Sequence, residues 1–125
     1  MPRSRIFTHV FRILLLSILA LLGELAMAKN YEATVVIRNH LFEPSTLTVP
    51  AHKKIKLIII NEDSDPEEFD SFSLNREKVV FGNAKASVYI GPLEPGEYPF
   101  FGQYNPTSAR GKIIVVEKSE VPHAN

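Results

Sequence analysis

Between residues 31 and 117, apolar and polar side chains alternate in short runs, the pattern of strands with one buried face. Tyr31-Glu32-Ala33-Thr34-Val35-Val36-Ile37-Arg38 is rich in β-branched residues, and Ser45-Thr46-Leu47-Thr48-Val49 alternates between the brackets Pro44 and Pro50. Lys54 to Ile60 begins in strict alternation and ends as an apolar run, which predicts a strand covered on both faces at its far end. Further strands are predicted at Glu67 to Ser73, Ser87 to Ile90, Glu97 to Phe101 and Gly111 to Glu117. Asn61 to Pro66 breaks the chain, and Gly91-Pro92, Glu94-Pro95-Gly96 and Asn105-Pro106 are turn signals. Helical periodicity is not sustained here; the one candidate is a single turn at Asn75 to Val80. About seven strands at this spacing predict an all-β, two-sheet sandwich.

The first segment reads differently. Arg3, Arg5 and Arg12 lead into the apolar stretch Ile13 to Leu22, which Ala26-Met27-Ala28 closes, the layout of a secretory signal peptide. The stretch ends at Gly23-Glu24, short of the ~20 residues that a bilayer core requires, so a permanent anchor is the weaker reading. Cleavage after Ala28 leaves 97 residues with a net charge of −2, because the leader holds three of the 14 basic residues and one of the 14 acidic ones. The expected organisation is a cleaved leader at 1–28, one β domain at 29–117 and a flexible tail at 118–125, working outside the cytoplasm.

Composition narrows the chemistry. A chain of 125 residues has room for one small domain, and balanced charge provides no basic face of the extent that a nucleic acid requires. The absence of cysteine removes disulfide frameworks, thiolate zinc sites, iron–sulfur ligation and a cysteine nucleophile. Carboxylates, histidine, methionine, hydroxyls and amides are left. No Ser, His and acid arrangement carries a hydrolase motif.

Phe42-Glu43-Pro44, Val49-Pro50-Ala51, Leu57-Ile58-Ile59-Ile60-Asn61, Pro95-Gly96-Glu97-Tyr98-Pro99-Phe100 and Gly111-Lys112-Ile113-Ile114-Val115 together resemble the frame of a cupredoxin. The immunoglobulin alternative lacks its paired cysteines and core tryptophan. Pro66-Glu67-Glu68-Phe69-Asp70-Ser71, Arg76-Glu77-Lys78-Val79 and Ile90-Gly91-Pro92-Leu93-Glu94-Pro95-Gly96 resemble, more narrowly, small exported cupredoxin-like proteins associated with bacterial high-affinity iron permeases. The resemblance implies a Greek-key β-sandwich and a periplasmic accessory of iron or copper uptake. Such a protein binds copper or iron and helps present, or oxidise, ferrous iron for a membrane permease or another exported component. Membrane contact would come only through that partner. A metal-free docking module of the same fold is the alternative.

In electron-transfer cupredoxins type 1 copper is held by a His after the third-strand Asn and by Cys, His and Met before the last strand. On the matching frame these positions fall on Glu67, Gly102, Asn105 and on or near Ala109. Without a thiolate there is no blue-copper electron carrier here. Glu67 shares strand parity with Phe69, so if Phe69 enters the core Glu67 turns inward as well, while Glu68 and Asp70 take the other face. A bulge at Pro66 would instead bring both Glu side chains together. His40, in the connection before Phe42, is expected at the same end, either as an imidazole beside Glu67 or as an ordinary loop residue. The loop holding Gln103 and Asn105 forms the other candidate wall, since amides coordinate through oxygen. The candidate metal ligands are therefore His40, Glu67, Glu68, Asp70, Gln103 and Asn105, a set suited to iron, manganese or copper(II). Glu62, Asp63, Asp65, Glu67, Glu68 and Asp70 crowd six acids into nine positions, a solvated loop or a cation-gathering patch. Arg76 and Lys78 are placed to neutralise part of it, with Glu77 as a further ligand or a surface bridge. His52 is expected on the surface at the opposite end, and His123 on the tail.

Overall fold

The computed structural model describes residues 6, 8–15, 18 and 30–122. Among these residues nine strands form two sheets: β1 (Tyr31–Arg38), β2 (Leu41–Glu43), β3 (Thr46–Pro50), β4 (Ile55–Asn61), β5 (Glu67–Ser71), β6 (Arg76–Val80), β7 (Lys85–Ile90), β8 (Gly96–Gly102) and β9 (Arg110–Val116). One sheet has the order β2-β1-β4-β7 and the other β3-β9-β8-β5-β6. The β1–β4 and β3–β9 pairs are parallel and the remaining pairs antiparallel, so the chain crosses between sheets as a Greek-key sandwich does.

Alternation fixes the core. Ile55, Leu57 and Ile59 of β4 point inward and are fully buried, facing Phe69, Phe100, Ile113 and Val115 from the second sheet. Phe42, Phe69 and Phe100 form an aromatic cluster with centroids 4.9 to 6.3 Å apart. Gly111 leaves room for it: a side chain there would strike the Phe100 ring and the Ser45 carbonyl.

Two strands exceed the expected seven. β2 is three residues long, too short for a periodic signal. β6 corrects the helical turn expected at Asn75 to Val80: Asn75 takes a left-handed φ of 52°, and Arg76 to Val80 then pair antiparallel with β5. Its charged residues suit the exposed edge of a sheet. Beyond β9, Lys118–Glu120 form a short 3-10 helix, and His123 lies outside the described residues. Most of the predicted leader falls outside them too; residues 8–15 are helical, and no described helix is long and apolar enough to cross a membrane.

Candidate functional site

Asn61, at the end of β4, organises the loops at one end of the sandwich. It is buried, and its amide donates to the carbonyls of Asp65 at 2.8 Å and Val80 at 3.2 Å, while its side-chain oxygen accepts from the Asp63 N–H at 3.0 Å. The turn so formed aims Asp63 at the β1–β2 connection. There the N–H groups of Asn39 and His40, both at left-handed φ, donate to its two carboxylate oxygens at 2.8 and 2.9 Å. These bonds, led by the one from His40, hold the Asp63 carboxyl below the usual aspartate range.

His40 therefore sits at the expected end, and its carbonyl accepts a bond from Ser108 Oγ at 3.1 Å. The expected approach of its imidazole to Glu67 is not found. Nδ1 lies 3.7 Å from Asp63 Oδ2, because the turn conformation directs the ring toward the capping carboxylate.

Glu67 does turn inward and is 1% exposed. Its Oε1 accepts N–H bonds from Glu68 and Tyr104, each 2.9 Å, and its Oε2 accepts from Asn105 Nδ2 at 2.8 Å. A methyl group at Gly102 would fall 2.5 Å from Glu67 Cδ and 2.7 Å from Ala109 Cβ. Glu67, Gly102, Asn105 and Ala109, the four positions matched to type 1 copper ligands, thus do meet in space, but the carboxylate fills the seat itself. Three N–H donors turn their positive ends toward it, and Asn105 directs its NH2 group, not its oxygen, to the carboxylate. No buried side-chain polar atom among the described residues lacks a hydrogen-bond partner. This arrangement does not fit copper: it holds no thiolate and no inward imidazole, and the one anion is already satisfied.

The acidic run divides instead of pooling. Glu62 pairs with Arg38 at 2.7 Å, Asp63 caps the turn, and Glu67 is sealed inside. β5 runs from Glu67 without the bulge that would join Glu67 to Glu68. Glu68 and Asp70 keep the outer face, and the β5–β6 register sets Asp70 opposite Glu77. Ligand-capable oxygens of Glu68, Asp70 and Glu77 all lie within 4.8 Å of one another. Like charges opposite each other across a ladder are destabilising unless something positive joins them. The expected neutralising cations do not. Arg76 donates to the carbonyls of Tyr89 and Asn75, both 2.9 Å, and Lys78 pairs in register with Phe69 on the other face. Asp70 is 8% exposed, yet its carboxylate accepts no hydrogen bond among the described residues. Gln103 is exposed, and its backbone N–H donates to the Glu68 carbonyl at 2.9 Å. Parity had placed Glu68 and Asp70 on one face; the missing signal for the trio was the pairing of β6, which brings Glu77 to them. His52 lies on the surface near Glu94 and Glu117, at 3.7 and 3.5 Å, at the other end of the sandwich.

A family model described as "Cupredoxin-like domain" matches residues 11–115. The chain is 42% identical over 84 residues to an uncharacterized protein of Rickettsia prowazekii, covering 67% of each chain. Similar solved structures include auracyanin A, a "blue" copper protein of Chloroflexus aurantiacus, with a TM-score of 0.62 and 13% identity over 70% of this chain and 100% of that one. A purple cupredoxin from Nitrosopumilus maritimus gives a TM-score of 0.53 at 18% identity, covering 67% and 99%. Amicyanin from Paracoccus versutus gives 0.54 at 19%, covering 73% and 87%. At these identities the structural matches speak for the fold alone. With the family model spanning most of the sequence and the sandwich built in that order, the chain belongs to the cupredoxin-like domain family.

Proposed function

We propose that this chain is an exported, periplasmic accessory of iron or copper uptake that binds a hard or borderline cation at Glu68, Asp70 and Glu77 and presents it to a membrane permease. One observation carries the reading: three carboxylates from two paired strands converge without a protein cation, and the most buried of them, Asp70, has no donor. An all-oxygen set favours iron, manganese or copper(II) over copper(I). Three ligands on an open sheet face leave coordination positions for water or for an accepting group, which suits presentation rather than storage. The trio is separate from the sealed Glu67 seat, so metal handling here does not use the type 1 position.

Calorimetric titration of the chain with manganese, ferrous and cupric ions tests it. The expected result is binding that Asp70→Asn and Glu77→Gln weaken about tenfold or more and Glu67→Gln leaves in place. Heats unchanged in the Asp70 and Glu77 variants would overturn the assignment. The sealed Glu67 seat favours a second reading, a docking module without metal; it would gain if no ion bound tighter than millimolar.

A further inference from the structure

Beside the acidic trio, on the same face, lies an apolar hollow of about 330 Å³ lined by Phe72, Ser73, Pro99, Phe101, Pro106 and Arg110. Phe72 is 84% exposed and rests on Phe101, with ring centroids 5.5 Å apart. A phenylalanine so exposed contributes little to the core, and a lone exposed one needs no explanation; two rings in tilted contact, rimmed by prolines and an arginine, form the kind of anchor pocket found at interface centres. Phe72 also lines the adjoining hollow that holds Asp70 and Glu77, so it forms a wall common to both. The ladder orders the chemistry: Asp70 lies opposite Phe101, and Phe101 opposite Arg110. Two strand spacings, ~10 Å, separate the arginine from Asp70, and three, ~14 Å, from Glu77.

Charge identifies the occupant. The Arg110 guanidinium forms no ion pair or hydrogen bond among the described residues, whereas nearby Lys112 is engaged with Glu97 at 3.2 Å. A free guanidinium beside an apolar hollow matches a peptide segment with an apolar anchor and a carboxylate. Arg110, with Arg76 of the adjoining hollow already donating to two carbonyls and three acids between them, does not match an anionic lipid surface, which needs several available basic groups.

We propose that the Phe72–Phe101 hollow docks a segment of a partner protein that inserts an apolar side chain and sets a carboxylate on Arg110, and that the segment is admitted when the acidic trio holds its cation. This rests on reading the trio as a metal site. Empty, it presents three negative charges to the incoming carboxylate, the nearest about one Debye length away; a divalent ion leaves one. The coupling is reciprocal: the acidic segment tightens the metal by the factor with which the metal tightens the segment.

The test is selection of a phage-displayed random dodecapeptide library on the full chain, with manganese and with chelator. Selected peptides are then measured by fluorescence anisotropy, alongside manganese calorimetry and sedimentation velocity. Expected are acidic peptides with an aromatic or aliphatic anchor that bind about fivefold or more tightly with manganese. Phe72→Ala and Arg110→Gln, both at exposed positions, should each lose about tenfold in peptide affinity, and Arg110→Gln, outside the metal hollow, should retain the wild-type manganese heat. Enrichment of basic peptides, or affinities unmoved in both variants, would overturn the docking site. Self-association that Phe72→Ala abolishes would assign the hollow to a second copy and also overturn it. If wild type binds manganese but the peptide affinity is the same in chelator, the metal gate is lost. If wild type gives no manganese heat, the metal reading fails, and the Phe72 and Arg110 variants still decide the docking site.

Discussion

Asn105 reaches back across 38 residues to donate to Glu67 Oε2 at 2.8 Å, joining the loop before the last strand to the start of β5. Where a copper-carrying relative places a metal to hold these two segments together, this chain places a carboxylate and three N–H groups. The bond closes the seat and fixes its walls, so its loss should be read as stability. Glu67→Gln keeps the shape but turns an NH2 group toward N–H donors, and should destabilise the fold by about 1–3 kcal/mol. A lower urea midpoint with an unchanged slope is the check.

Gly102 is the other half of that closure. A methyl there would overlap the Glu67 carboxyl carbon, so Gly102→Ala should cost about 1–3 kcal/mol, and shortening Glu67 to alanine in the same chain should recover part of it. Thermal melts of the two single variants and the double variant measure the coupling.

The backbone positions of a thiolate site remain adjacent even though its ligands are gone. A variant combining Glu67→His, Gly102→Cys, Asn105→His and Ala109→Met should bind copper(II) and turn intensely blue, whereas wild type should stay colourless with copper(II). A folded but colourless variant would show that the frame has shifted beyond use.

At the outer trio, charge predicts opposite signs for the empty and loaded states. Glu77→Gln removes a like-charge pair and should stabilise the metal-free protein by a few tenths of a kcal/mol, roughly the scale of one cross-strand pair. The same change should shrink the rise in Tm on adding manganese, and a chelator should erase that rise in wild type. Melting curves in both conditions decide it.

Asp63 sets an acid limit. Its carboxyl titrates lower in the folded chain than in the unfolded one, so on acidification the unfolded chain takes up the proton first. The contribution is complete above the unfolded value near pH ~4 and disappears as pH falls through the folded value. Urea midpoints measured from neutral to acid pH should fall less steeply at the acid end in Asp63→Asn than in wild type.

Parity along single strands carried much of the sequence reading. Phe69 and Glu67 inward, Glu68 and Asp70 outward, follow from period two alone, and β1 and β4 were legible from their β-branched runs. What was not legible depends on pairing between distant segments. Arg76-Glu77-Lys78 has the composition of a solvated turn, and only its register against β5 makes Glu77 the third member of a trio. His40 was assigned to the right end of the sandwich, yet its partner was decided by how the Asn61-anchored turn points the two oxygens of Asp63. The Phe72–Arg110 hollow gave no local signal, since its walls come from the β5–β6 turn, β8, the β8–β9 loop and the start of β9.

Asn61 also determines how the acid-rich segment after it will move. Its side chain grips Asp63, Asp65 and Val80 at once, and the Asn83 N–H closes on the Asp63 carbonyl at 2.8 Å. In deuterium exchange the amides of Asp63 and Asn83 should therefore be retained about as long as those of the sandwich interior, although by composition this stretch looks like the first place the chain would breathe.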